Sequence, residues 1–322
     1  MNSASLVRGR KVEMHPMPEI ETGNEAWADR LAESLMLRAI RLTEGRPLAA
    51  RRLLLGAAVR FAVSPLHGWP ALVRQNLALV RPDLPRGVRR RLAGAAGWNA
   101  GVSLAELLSP REFRTALAGT PVAGPGVAAM KEARRAGRGV VLVTAEIGNP
   151  DALVAILAER GVEAAALASP APATAGGLAG LIEAARARLG GPRHPDTEQG
   201  RDALEAHIAR GGLAVLQGDR VSETGTPVLL FGARVRTPIF AATAALRQHA
   251  EFIPAFALRR RDGRYGVWMA APVAHAHPGE MMQDYQRAVE EAAREFMEQF
   301  FWAGARWRPE RYLDRAAPST GP

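Results

Sequence analysis

The stretch "GVVLVTAEIGNPDAL", Gly139–Leu153, decides how the rest of the chain is read. "VVLVTA" is a short, unbroken apolar run of the kind that forms a strand buried on both faces. It leads straight into an acid-bearing turn and then a helical pattern, "PDALVAILAERG". The turn carries two carboxylates, Glu146 and Asp151, and no histidine, cysteine or serine nucleophile.

The same alternation continues on either side. "VAAMKEARRAGRG" reads as a helix, "VEAAALA" as a strand, "AGLIEAARARLG" and "DALEAHIARGG" as helices, and "LAVLQGD" as a strand. Short buried strands separated by helices of about ten residues imply βαβ units. The expected fold is therefore α/β: a mostly parallel central sheet flanked by helices. "AEFIPAFALRR" and "RYGVWMAAPV", joined by "RDG", read as a strand pair at one edge, and "PGEMMQDYQRAVEEAAREFMEQFFW" as one long C-terminal helix. "ASPAPATAGG" reads as a flexible loop near the substrate path. There is no internal repeat. In an open parallel sheet, ligands gather at the carboxyl ends of the strands. "TAEIGNPD" and "QGDRVSETGTP" both follow strands and are expected to form one site.

Upstream, from Ala26 to Leu108, the pattern is helical. In "PLAARRLLLGAAVRFAV", Leu53, Leu54, Ala57, Ala58 and Phe61 form one stripe at a period of 3.6, opposite Arg51, Arg52 and Arg60. Such a stripe either lies in a membrane interface or covers a protein core. "ALVRQNLALVRPDLP" is a second amphipathic helix, ended by Pro82 and Pro85. Residues 1–24 are polar, lack the apolar segment of a signal peptide and read as a disordered leader. Residues 25–322 read as one domain, with a helical, membrane-facing part over 25–115 and an α/β core over 120–315.

Composition narrows the function. The chain has no cysteine, which excludes disulfides, thiolate metal sites and thiol nucleophiles. Its formal charge of +10 is carried by arginine, since Lys11 and Lys131 are the only lysines. Such a surface is either simply solvated or meets an acidic partner: anionic lipid, an acidic carrier protein or nucleic acid. Nucleic acid fits worst, because zinc-finger spacing and RNA-binding aromatic signatures are absent and aromatics make up only 6%. No uncharged apolar run reaches the roughly 18 residues of a transmembrane helix. "GPGVAAMKEARRAGRG" lacks the Gly-Lys-Ser/Thr of a phosphate loop. "HAHPGE" places His275 and His277 with Glu280, and reads as a solvated turn more than a metal site. His194 sits in "GPRHPD", read as a polar loop, and His67 beside Trp69 at a turn or interface. Neither a metal nor a cofactor is expected.

At the two loops the chain resembles the bacterial late acyltransferases of lipid A biosynthesis, the lauroyl/myristoyl branch of the lysophospholipid acyltransferase superfamily. The resemblance runs from about Val73 to Tyr312 through "VRQNLALVRPDLP", "WNAGVSLAELL", "GVVLVTAEIGNPD", "EAARARLGG", "LQGDR", "VLLFGARVRTPIFAATAALR" and "FMEQFFWAGARW". It implies a helical part touching the inner membrane from its cytoplasmic face without spanning it. It also implies transfer of a fatty acyl chain from acyl carrier protein or acyl-CoA to an amphipathic hydroxyl or amine. The family pattern is a histidine followed, after four residues, by an acid. On that pattern Gly148 and Asn149 match, Asp151 matches the acid, and Glu146 falls on the histidine. Arg186 matches an arginine suited to a phosphate or head group. Asp219 matches the second aspartate of Asp-Gln-Asp, with Gln217 and Gly218 replacing the first two residues and Arg220 following. Phe231 and Gly232 match a turn beside the acyl groove. Gly304 and Ala305 replace the histidine–arginine of a C-terminal Trp-Leu-His-Arg-Arg-Trp motif that keeps Arg306 and Trp307.

A free glutamate, with a pKa near ~4.3, is a poor base for an alcohol. Two partly desolvated carboxylates held together raise one another's proton affinity. Glu146 and Asp151 are thus the expected catalytic pair, with Gly148, Asn149, Arg186, Asp219, Arg220, Phe231 and Gly232 as substrate contacts. The alternative is an inactive homologue that binds acyl lipid or carrier protein, with Glu146 merely capping a helix.

Overall fold

In a computed structural model, the structure describes residues 22–168, 176–220, 222 and 224–307. Its N-terminal part is helical, as the sequence predicts: α1 (Thr22–Thr43), α2 (Leu48–Ala58), α3 (Ser64–Leu66), α4 (Trp69–Val80), α5 (Arg86–Leu107) and α6 (Pro110–Leu117). A π-helical turn, Val59–Val63, joins α2 to α3 just before Pro65, whose ring cannot follow a regular turn. Helices α2 and α5 cross in close contact because Gly101 has no side chain; a Cβ there would lie 2.2 Å from the Leu55 carbonyl oxygen.

Leu55, Val59 and Val63 turn inward against Ala32, Met36 and Ala105. Of the stripe read from the sequence, Leu53, Leu54 and Phe61 point outward, with Phe61 70% exposed, while Ala57 and Ala58 are half-buried. Its large side chains do not cover the core. No helix among the described residues is long and apolar enough to cross a membrane.

The second part runs β1 (Val122–Ala123), α7 (Gly126–Arg135), β2 (Val140–Thr144), α8 (Pro150–Glu159), β3 (Ala164–Ala168), α9 (Gly177–Arg186), β4 (Arg193–Pro195), α10 (Glu198–Ala209) and β5 (Leu213–Gln217). A hairpin of β6 (Thr226–Leu230) and β7 (Ala233–Thr237) follows, then α11 (Phe240–Arg247), β8 (Glu251–Arg259), β9 (Tyr265–Met269) and α12 (Pro278–Glu295). The described sheet has the order β1-β9-β8-β2-β5-β3-β4, parallel at every pairing except β8–β9. β2 lies inside it, and all five of its residues are buried. Its pleat sends Val141 and Val143 to the face covered by α10, α11 and α12, and Val140 and Leu142 to the face covered by α6 and α8.

Several boundaries differ from the sequence reading. β8 is an interior strand, since it also pairs with β2, and β1 closes the edge beyond β9. The "RHP" segment holding His194 is the edge strand β4, because Ala166, Leu167 and Ala168 supply a parallel partner. The C-terminal helix ends at Glu295, and the residues after it turn back over the sheet edge. α1 starts at Thr22, inside the stretch assigned to the leader. The rest of that stretch, and the core of "ASPAPATAGG", lie outside the described residues.

Candidate active site

β2 and β5 are neighbouring parallel strands, aligned from Val140–Leu213 to Thr144–Gln217, so the two acidic loops leave the same edge. The Gly218 N–H donates to the Thr144 carbonyl at 2.9 Å, and the Tyr285 hydroxyl on α12 donates to the same oxygen at 2.7 Å. Beyond β2 the loop folds back hard against β8. Gly148 takes φ +63°, and a Cβ there would lie 2.1 Å from the Ala257 carbonyl oxygen, which excludes any other residue without backbone movement. The segment after α12 closes over this loop. Gly148 N–H donates to Gln299 O at 3.1 Å, Phe301 N–H donates to Glu146 O at 2.9 Å, and Ile147 bridges Phe300.

That closure brings in Arg306. Its Nη2 lies 2.7 Å from Glu146 Oε2 and 2.7 Å from Asp219 Oδ2, while the Glu146 N–H donates to Asp219 Oδ2 at 2.8 Å. Arg306 and Asp219 are buried, whereas the Glu146 side chain is 39% exposed. Burial pushes the Asp219 carboxyl up to about 6. Arg306 opposes that rise, the Glu146 charge adds to it, and the Glu146 N–H and Gln217 side chain oppose it. The carboxylate coupled to Glu146 is therefore Asp219.

Asp151 belongs to a different cluster. Arg186 Nε donates to both its oxygens, at 3.0 and 3.4 Å, and Arg186 Nη1 donates to Glu183, which also accepts from Arg193. The carboxylate that shares an arginine with Glu146 is Asp219, not the Asp151 that the sequence pairs with it. Asp151 has Arg186 instead.

Asn149 caps α8: its Oδ1 accepts from the N–H groups of Asp151 and Ala152. Its Nδ2 donates to Glu106 Oε2 at 2.7 Å. Glu106 is buried in α5 and also meets Arg52, Arg259 and the Tyr265 hydroxyl. One carboxylate thus ties α2, α5, β8 and β9 to the cap of α8. Burial weighs against its charge, but the two arginines and Tyr265 hold its pKa below the ordinary value.

These elements surround a cleft of about 810 Å³. Glu146, Gly148, Asn149, Asp151, Arg186 and Arg220 all line it. Trp69, Ala100, Val154, Leu167, Ile182 and Phe301 supply apolar wall. Asp219 sits behind the lining. Phe231 and Gly232 form the two-residue turn of the β6–β7 hairpin, both at positive φ, and do not line the cleft. The Phe231 ring packs instead against Phe300 and Trp302, under the segment that delivers Arg306. His194 also lies outside the lining. His275 pairs with Asp284 at 2.7 Å, and His67 with Asp29 at 3.0 Å while stacking on Trp69.

Sequence reasoning missed Glu106, Tyr285 and the bridging place of Arg306. The available signals were a lone carboxylate inside the apolar "SLAELL" and an arginine kept beside Trp307. Asn76, in "VRQNLALV", was also missed as a support; its Nδ2 donates to the carbonyls of Trp302 and Gly304 and fixes the closing segment.

A family model described as bacterial lipid A biosynthesis acyltransferase matches residues 28–309. No curated protein matches the chain.

Proposed function

Because the chain belongs to the bacterial lipid A biosynthesis acyltransferases, we propose that Glu146 is the general base of an acyl transfer to an amphipathic acceptor. The observation that carries this reading is the posture of Glu146. Oε2 and the main chain are fixed by Arg306 and Asp219, while the side chain faces the cleft and Oε1 has no hydrogen-bond partner among the described residues. A group held at one oxygen and free at the other is positioned to accept a proton.

In the proposed step, Glu146 takes the proton of the acceptor hydroxyl or amine as that atom attacks the carbonyl carbon of an acyl thioester. The new C–O or C–N bond forms, the C–S bond breaks, and the leaving thiolate recovers the proton from Glu146. The thioester is carried by acyl carrier protein or acyl-CoA. Asp151 holds Arg186 at the cleft wall, and Arg186 and Arg220 contact the polar part of a substrate whose chain lies along the apolar wall. Gly148 and Asn149 shape the floor between them. The protein works at the cytoplasmic face of the inner membrane as a peripheral protein, docked through Leu53, Leu54 and Phe61.

Glu146→Gln tests the chemistry. It keeps size and most hydrogen bonding but removes the basic oxygen, so the acylation rate should fall by about 10²–10⁴-fold while acyl-donor binding survives. Complementation of a deletion strain by Glu146→Gln as good as that by the wild type would remove Glu146 from the chemistry.

A further inference from the structure

A second cleft, also about 810 Å³, lies against the first, and Asn99 and Gln299 line both. Its walls come from the π-helical turn, α5, the β8–β9 turn and the end of α12, and arginine dominates them. Three of these arginines already have carboxylates. Arg259 is held by Glu106, Arg294 lies 3.4 Å from Glu290, and Arg91 lies 3.4 Å from Glu298. Arg60, Arg260 and Arg261 have no ion-pair partner among the described residues, and all three are exposed. Glu295 and Glu298 are the carboxylates of the described wall, so positive charge is in excess.

Arg60 is also held in place. Its guanidinium lies 5.1 Å from the centroid of the exposed Phe61 ring and against Gly94, where an added Cβ would come 3.0 Å from Nη2. The cleft therefore opens beside the outward apolar stripe on one side and shares a wall with the reacting cleft on the other. Unpaired guanidinium groups match the oxygens of a phosphate, and an apolar flank beside them suits an attached chain.

We propose that this arginine cleft seats the phosphate-bearing head group of the amphipathic acceptor, next to the site where its hydroxyl or amine is acylated. The proposal rests on the acyltransferase reading for its purpose but not for its test, which measures binding alone. Full-length protein is titrated with dihexanoyl phosphatidic acid below its aggregation concentration, and separately with inorganic phosphate. The Arg260→Gln/Arg261→Gln variant should bind the phosphatidic acid at least about tenfold more weakly, from the loss of charge-assisted hydrogen bonds. Arg60→Gln should weaken binding as well. Arg134→Gln/Arg135→Gln, removing two exposed arginines of α7, should not. Equal loss in that control would reduce the effect to net charge and overturn the proposal. So would unchanged affinity in the Arg260/Arg261 variant, or inorganic phosphate binding as tightly as the lipid. Glu146→Gln should retain the phosphatidic acid, so a failed acyl-transfer assay and a failed head-group site give separate results.

Discussion

Asp219 is where burial and charge oppose each other most directly. Its folded pKa, near 6, lies above the ordinary 3.8, so folding favours its protonated form. The stability linked to this group is complete below pH 3.8 and is lost as the pH rises through about 6. Arg306, Glu146, Tyr285 and Gln217 are the groups that face it. Chemical denaturation between pH 4 and 7 should show Asp219→Asn gaining on the wild type as pH rises, whereas parallel profiles would mean an aspartate ionised throughout. Glu106 makes the opposite kind of prediction, because its partners outweigh its burial. Glu106→Gln leaves Arg52 and Arg259 facing a neutral amide, and breaking such a buried cluster costs about 3–5 kcal/mol. Urea midpoints at neutral pH would read that loss directly.

Among the elements, the π-helical turn makes the sharpest prediction. Phe61 gains nothing from the protein core, so Phe61→Glu should leave thermal stability nearly unchanged yet weaken binding to anionic vesicles. Added salt should weaken that binding as well, and vesicle sedimentation that ignores both changes would leave the stripe without a membrane role. The helices and inner strands were legible because their apolar spacing is local: "VVLVTA" and "LAVLQ" have no alternative to burial. The hairpin β6–β7 was not, because Pro227, Arg234 and Arg236 break any apolar run and pairing between the two strands supplies the order. The final helix was read too long because "FMEQFF" is compatible with a helix. Tertiary bonds end it: the Trp302 indole N–H donates to Met297 O, and Gln299 is held against Arg259 of β8. The site followed the same rule. The loop and its acids were visible in one short stretch, but Glu146 meets Asp219 across 73 positions and Arg306 across 160, and no local pattern encodes such partners.

For the whole molecule, the family relation sets the reading that cells should give. A deletion strain should accumulate an under-acylated amphiphile visible by lipid mass spectrometry, and wild-type protein but not Glu146→Gln should restore the missing chain. The closing segment also has a consequence in time. Arg306 comes from the far end of the described chain, while the two carboxylates that it bridges lie in the loops after β2 and β5, translated much earlier. A chain still on the ribosome holds Glu146 and Asp219 without their shared counter-cation, so Asp219 is harder to bury in its charged form until Arg306 emerges. Arrested chains that stop short of Arg306 should therefore be more protease-sensitive at this edge than those that expose it past the exit tunnel.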